Sequence, residues 1–206
     1  MTDEAPITAQ DPIAEHVAAC PVTPLVVEQI VGLAELPWDD RAVPEAAMRS
    51  LGWCEGDDLP LEDTFVTAEG HLAHLGSNLG SHLALSFAHF YWVGGEDWAE
   101  DFWGTLSGWS SHENAGREVF DTQIDAAVAG FSERLGPPEH DLRSAGGTLA
   151  MGPGEWRHAA WRLGSNLLVI GPRHEGLSYF QFEEAVVYIG PAERTAPLPA
   201  LHDFIA

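Results

Sequence analysis

Four segments of the chain have apolar side chains at the three- and four-residue spacing of an amphipathic helix. They are residues 24–36, 43–51, 96–109 and 117–135. The first follows Thr23, whose hydroxyl is suited to cap a helix, and begins with Pro24, which is favoured in a first helical turn. The last ends at Gly136, a residue type that commonly terminates helices.

Six further segments have the composition or the alternation of β-strands. They are residues 64–75, 82–93, 156–163, 166–170, 177–182 and 185–189. The alternation is clearest in the second, where Leu83 and Leu85 are separated by Ala84 and followed by Ser86. Helices that precede groups of strands favour an α+β fold, an antiparallel sheet packed with helices.

The predicted domain organisation is a loosely ordered segment over residues 1–22 and a single α+β domain over residues 23–206. Within residues 1–22 the pattern allows a helical turn or two over 13–20. The sequence Leu-Gly-Ser-Asn occurs at 75–78 and again at 163–166, each time between two predicted strands. A duplicated helix–hairpin unit, divided as 24–111 and 112–192, explains both copies, and so does the chance recurrence of ordinary turn residues.

The charge of the chain limits its partners. It has 32 acidic residues against nine basic ones, a net charge of −23, and all nine basic residues are arginine. A surface this acidic repels nucleic acid and anionic lipid and attracts basic proteins. No apolar run is long enough to span a membrane, and the acidic N-terminus is unlike a secretory signal, so a cytoplasmic location is expected. Cys20 and Cys54 form no recognisable motif and are expected to be reduced thiols.

The acidic charge is concentrated in one part of the chain. Residues 50–116 contain eleven acidic residues and no arginine, together with five of the eight tryptophans. Aromatic anchors among charges of one sign are typical of a site that binds a basic protein. In the predicted helix over 96–109 Trp103 lies off the apolar stripe, which makes it the best candidate for an exposed anchor. The predicted partner-binding residues are Asp57, Asp58, Glu62, Asp63, Asp97, Glu100, Asp101 and Trp103.

The sequence has no recognisable catalytic signature, and no cofactor or metal is predicted. A phosphate-binding loop and a nucleophile elbow are both absent. Four histidines lie within nineteen residues, at 71, 74, 82 and 89. Strict strand alternation puts His71 and His74 on opposite faces, and likewise His82 and His89, so they are not expected to converge on a metal. The adjacent carboxylates Glu183 and Glu184 interrupt an apolar region and are interpreted as a bulge or a hairpin turn.

Several short motifs are similar to those of an uncharacterised family of actinobacterial proteins. They are Leu36-Pro37-Trp38, Leu51-Gly52-Trp53, the segment 120–136 followed by Pro137-Pro138, and Trp156-Arg157 before paired strands. Proteins of this kind resemble the small acidic immunity proteins that accompany polymorphic toxins. The resemblance implies no catalytic residues.

The favoured function is therefore an acidic protein-binding module, an immunity or antitoxin type of inhibitor that neutralises a basic toxin. Three alternatives remain open. One is a chaperone or adaptor for a secreted protein, which predicts a dimer with an apolar groove. Another is an enzyme with an unrecognised site among the histidines and carboxylates. The third is that the acidity reflects only solubility or a saline environment, with no charged partner.

Overall fold

The computed structural model of the chain describes residues 14–56, 63–76, 81–93, 103, 106–146, 154–174 and 182–191. Within these residues, three α-helices pack on one face of a ten-stranded antiparallel sheet, which is the predicted α+β fold. The helices are α1 (Pro24–Ala34), α2 (Ala42–Ser50) and α3 (Arg117–Leu135). The strands are β1 (Ala14–Ala19), β2 (Cys54–Glu55), β3 (Thr64–Val66), β4 (Leu72–Gly76), β5 (His82–Val93), β6 (Ser110–Glu113), β7 (His140–Gly146), β8 (Gly154–Leu163), β9 (Asn166–His174) and β10 (Glu183–Pro191).

The strand order is symmetric about the centre of the sheet. It runs β2-β3-β4-β5-β10-β9-β8-β7, so the strands of each half follow one another outward from the antiparallel pair β5–β10. Strand β1 lies beside the second part of β5, and β6 pairs with β1. A single sheet therefore contains strands from both halves of the chain.

The two Leu-Gly-Ser-Asn segments do not occupy equivalent connections in this order. The first follows β4, the third of the four strands before the centre, whereas the second joins β8 to β9, the second and third strands of the other half. The duplication over 24–111 and 112–192 stays a prediction. In the second copy Asn166 has a defined structural role, because its side-chain amide donates to the carbonyl oxygens of Ala34 (2.7 Å) and Leu36 (2.6 Å) at the end of α1.

The prediction of a loosely ordered N-terminus is wrong for residues 14–19. They form β1, which is hydrogen-bonded to β5 on one side and to β6 on the other, and Val17, Ala18 and Ala19 are buried. Alanine has little preference for strands, so pairing with distant segments decides the conformation.

Three other parts of the chain differ from the secondary structure predicted for them. The single strand over 64–75 is interrupted by a turn around Gly70, which separates β3 from β4. Residues 107–109 are not helical, and residues 110–113, for which no element was predicted, form β6. Strand β7 was not predicted, because four exposed residues at its start give no alternation. Most of the segments 96–109 and 177–182 lies outside the described residues.

A β-bulge in β5 changes which side chains face the helices. Ala88 pairs with Ala185 and Ser86 pairs with Val186, so Phe87 is an additional residue on β5. Before the bulge Leu83 and Leu85 face the helices, and after it His89 faces away from them. The predicted alternation therefore holds only up to residue 86.

The main core lies between the sheet and the helices. Its largest fully buried side chains include Trp38, Phe87, Phe120 and Phe131. The indole nitrogen of Trp38 donates to the carbonyl oxygen of Leu33 (2.9 Å), which satisfies its polar group inside the core. The core holds α3 against β5 and β9, next to the start of β10.

Candidate functional site

Two adjacent carboxylates are buried at the start of β10, on opposite faces of the sheet. Glu183 is 0% exposed and Glu184 is 4% exposed. Both lie within the regular pairing of β10 with β5 and β9, and the bulge comes one step later, between Ala185 and Val186. The predicted bulge or turn at Glu183-Glu184 is therefore wrong. Buried carboxylates are rare unless they are paired, so each must be compensated locally.

Glu183 lies under the N-terminus of α3. Its Oε2 accepts from the indole nitrogen of Trp156 (3.0 Å) and forms an ion pair with the guanidinium of Arg117 (2.8 Å). Arg117 is positioned over the rings of Phe90 and Phe120, 5.8 and 5.3 Å from their centroids. The other carboxylate oxygen, Oε1, is buried without a hydrogen-bond partner. Burial outweighs the attraction of Arg117 and raises the pKa of Glu183 above its usual range.

Glu184 has a partner for each of its oxygens on the opposite face. Oε1 is bound by the guanidinium of Arg173, and Oε2 accepts from the hydroxyl of Ser86 (3.3 Å). The residue directly opposite Glu184 on β5 is His89. This arrangement compensates the buried charge on both oxygens of the carboxylate.

The face that carries Glu184 also holds a cluster of aromatic and histidine side chains. The ring of His89 is stacked on Trp103 at 3.6 Å between centroids, and Trp109 lies 5.3 Å from each of them. Further along, His16 is stacked on Tyr91 at 5.6 Å. The rings pack directly against one another, so the cluster has the character of a second core.

A close backbone contact holds Trp109 in this cluster. Gly70 and Gly108 have positive φ values of 99° and 85°. A Cβ atom on Gly70 would lie 1.9 Å from the carbonyl oxygen of Ser107, and one on Gly108 would lie 1.9 Å from that of Glu69. The indole nitrogen of Trp109 donates to the carbonyl oxygen of Gly70 (2.8 Å). Only glycine allows the two loops to approach this closely.

Cys20 and His71 lie beside this contact and have structural roles. The Nε2 of His71 donates to the carbonyl oxygen of Cys20 (3.0 Å), and its Nδ1 accepts from the hydroxyl of Thr67 (3.2 Å). Burial lowers the pKa of His71, which favours this neutral form. Burial also raises the pKa of Cys20 to about 12, so its thiol is not a nucleophile at neutral pH. Thr67 and His71 are both buried, so this hydroxyl–imidazole pair is not accessible to a substrate.

The prediction that His82 and His89 lie on opposite faces of the sheet is wrong. The bulge places His82 and His89 on the same face, because His82 is stacked on Tyr188 and His89 lies opposite Glu184. They remain seven positions apart along β5, roughly 20 Å at the rise of an extended strand. Within the part of the chain that the structure describes, no group of three or more His, Cys, Asp or Glu is arranged to hold a metal ion.

Of the eight predicted partner-binding residues, the structure describes Asp63 and Trp103. Asp63 is exposed and forms an ion pair with Arg41 (2.5 Å). Trp103 is half-buried and stacked on His89, so it is less exposed than expected of a free anchor. Asp57, Asp58, Glu62, Asp97, Glu100 and Asp101 lie outside the described residues.

The tryptophans of the segment 50–116 are mainly structural where the structure describes them. Trp53 is 3% exposed and donates to the side chain of Gln29 (3.0 Å), and Trp109 is 7% exposed. With Trp103 stacked on His89, these side chains are largely occupied inside the fold. The acidic charge therefore supports a binding role better than the tryptophans do.

All eight arginines in the described residues form ion pairs with carboxylates of the same chain. The pairs are Arg41 with Glu45 and Asp63, Arg49 with Glu45 and Glu55, Arg117 with Asp121 and Glu183, Arg134 with Glu28, Arg143 with Asp125 and Glu155, Arg157 with Asp125 and Asp141, Arg162 with Glu139, and Arg173 with Glu184. Eight described carboxylates form no ion pair with any of these eight arginines, namely Glu15, Glu35, Asp39, Asp40, Glu69, Glu113, Glu118 and Glu133. The arginines are thus used within the fold, and the remaining charge of the described surface is negative.

Three of these carboxylates lie along one edge of the sheet, where β1, β6 and α3 meet. Glu15, Glu113 and Glu118 are all exposed, and we call them the β1–β6 acidic edge. The carboxylates of Glu15 and Glu118 both lie within 4 Å of the position that a Cβ on Gly116 would take. Glu113 pairs with His16 on β1, so its side chain is on the opposite face of the sheet from that of Glu15. Negative charge is favoured at Glu118, in the first turn of α3.

Comparison with known proteins adds no relatives: no protein-family model, curated protein or solved structure matches the chain. Among the helices of the described residues, none is both long and apolar enough to cross a membrane.

Proposed function

We propose that this chain is a protein-binding module that neutralises a basic partner, of the immunity or antitoxin type, and that it acts in the cytoplasm. The observation that carries the proposal is that every described arginine is ion-paired within the chain, while eight described carboxylates have no partner among these arginines. A cationic active site, such as that of a nuclease, would find complementary charge over much of this surface.

The charge distribution suggests where contact begins. The β1–β6 acidic edge presents Glu15, Glu113 and Glu118 beside an exposed strand, β6, that pairs only with β1 among the described residues. Glu113 belongs to the arginine-free segment 50–116, for which a binding role was predicted from the sequence. In this proposal the exposed carboxylates accelerate association, because opposite charges steer two proteins together before they touch.

The test is a kinetic binding measurement with the protein encoded by the adjacent open reading frame. We expect association to slow at least tenfold when the salt concentration rises from about 50 to about 500 mM, since exposed charges are screened. A basic protein of unrelated fold serves as the control for nonspecific attraction. Absence of binding, or binding with no salt dependence, would contradict the proposal.

A matched pair of variants separates the effect of the β1–β6 acidic edge on association from the effect of the net charge. The variant Glu15→Gln/Glu113→Gln/Glu118→Gln and the control Glu35→Gln/Asp39→Asn/Glu133→Gln change the net charge equally, and all six residues are exposed and without an arginine partner. The first should slow association several-fold more than the second. Equal effects would mean that the acidic edge is not where contact begins.

A further inference from the structure

Strand β7 is an edge of the sheet that the described residues form. Among the described residues it pairs with β8 alone, and His140, Asp141, Leu142 and Arg143 are all exposed. Leu142 is 48% exposed, and Leu25 is the only other large apolar side chain of the described residues that is exposed. An edge strand has unpaired backbone N–H and C=O groups, so it is a template for another strand.

The hairpin that contains β7 is electrically neutral, although the chain is strongly acidic. Residues 139–163 contain three acidic residues and three arginines, against a net charge of −23 for the whole chain. They neutralise one another in the pairs Arg143–Glu155 (3.3 Å), Arg157–Asp141 (2.6 Å) and Arg162–Glu139 (3.7 Å). A second copy of this chain would be repelled by the acidic surfaces but not by this hairpin.

The other described edges are less suitable. Strand β2 has two residues and includes Glu55, and β6 has four and ends at Glu113. Strand β7 has seven. It is therefore the longest of the three edges, and the one whose own charges are balanced.

We propose that two copies of this chain associate by antiparallel pairing of β7 with β7 about Leu142. In this register Asp141 of each copy lies opposite Arg143 of the other, and the two Leu142 side chains are neighbours. A register centred on Asp141 would oppose two carboxylates, and one centred on Arg143 would oppose two guanidinium groups. Directly opposite charges of unlike sign stabilise a strand pair and like charges destabilise it, so the charges select the register about Leu142. The two-fold symmetry makes the contact closed and limits it to a dimer.

The test is sedimentation equilibrium of the full chain from about 1 to about 200 µM. We expect a concentration-dependent dimer for the wild type. Arg143→Asp and Asp141→Arg should each weaken self-association at least tenfold, because each places like charges opposite one another at both ends of the pair. Arg134→Asp changes the net charge as much as Arg143→Asp, at an exposed position on α3, and should leave a dimer.

The decisive experiment is to mix the Arg143→Asp and Asp141→Arg variants. An Arg143→Asp chain and an Asp141→Arg chain have complementary charges in the proposed register, so the mixture should form a heterodimer more strongly than either chain associates with itself. Leu142→Ser should weaken the dimer and Leu25→Ser should not. A wild type that stays monomeric throughout, or a mixture no more associated than its components, would overturn the proposal.

Discussion

Glu183 and Glu184 are neighbours in sequence, yet the two faces of the sheet treat their charges differently. On the helix-covered face, both partners of Glu183 bind one oxygen and the other oxygen has no hydrogen-bond partner. On the opposite face, Arg173 binds one oxygen of Glu184 and Ser86 donates to the other. The comparison shows that two adjacent buried carboxylates can differ in how completely they are compensated, and that an arginine alone does not satisfy a carboxylate.

The largest expected effect on stability follows from the removal of Arg117, the arginine that pairs with Glu183 on the helix-covered face. Arg117→Met leaves Glu183 buried with Trp156 as its remaining donor, and we expect the free energy of unfolding to fall by about 3 to 5 kcal/mol at neutral pH. Arg173→Met should cost less, about 1 to 3 kcal/mol, because Ser86 still donates and the Glu184 side chain is slightly exposed. Urea unfolding of both variants measures the difference. Equal losses would mean that the orphaned oxygen of Glu183 has no energetic consequence.

The second prediction concerns the close backbone contact at Gly70, beside the aromatic cluster on the sheet face that carries Glu184. Gly70→Ala requires a positive φ for alanine and brings its Cβ into the backbone of Ser107, so we expect a loss of about 2 to 4 kcal/mol. Gly164→Ala is the matched control, because Gly164 also has a positive φ but open space around it, and it should cost about 1 kcal/mol. Thermal unfolding monitored by tryptophan fluorescence reports both. A small effect at Gly70 would show that the contact with Gly108 is easily relaxed.

The third prediction uses pH to test the compensation of Glu183. Because its pKa is raised in the folded state, the folded protein binds a proton there more readily than the unfolded chain does. Wild-type stability relative to Glu183→Gln should therefore rise as the pH falls from neutral, until the usual glutamate value of 4.5 is reached. Urea unfolding of both proteins between about pH 7 and about pH 4.5 gives this difference. A constant difference would contradict the raised pKa.

The smallest expected effect is at the exposed ion pair between Arg157 and Asp141. Its contribution to stability changes with pH in the opposite direction to that of Glu183. The hydrogen bonds from Arg157 lower the pKa of Asp141, so the pair contributes stability above the usual aspartate value of 3.8 and loses it as the pH falls further. Asp141 is 40% exposed, and we expect Asp141→Asn to cost less than about 1 kcal/mol at neutral pH. Its cost should vanish near pH 2 in the same urea assay. A cost that persists there would assign the effect to packing instead of charge.

The sequence was most informative where local signals agree with one another. Helix α3 begins at Arg117 and ends at Leu135 as predicted, because its apolar spacing and Gly136 point to the same boundaries. Helix α1 begins at Pro24 as predicted, after a Thr23 hydroxyl that accepts from the backbone of Val26 (3.3 Å). Strand β5 is also predicted correctly in its bounds, His82–Val93.

The sequence was least informative where distant partners decide the structure. Strand β1 forms because β5 and β6 flank it, and no local pattern in its alanine-rich sequence indicates that. The additional residue Phe87 reverses the faces of His89 and Tyr91, and only the pairing with β10 reveals it. The acidic pair at 183–184 was noticed as unusual in an apolar region, but its buried partners come from α3, β5, β8 and β9. Those contacts join residues too far apart for any periodicity to predict.

The central position of β5 has a consequence for biosynthesis. On one side its partners are β1 and β4, both made before it, and on the other side its partner is β10, the last described strand to leave the ribosome. Until β10 is made, β5 presents an unpaired edge along the middle of the growing sheet, and such edges readily join those of other nascent chains. Residues 1–111 contain nineteen acidic residues and two arginines, so neighbouring copies repel one another throughout this interval. The acidity of the first half therefore opposes the aggregation of the unfinished sheet.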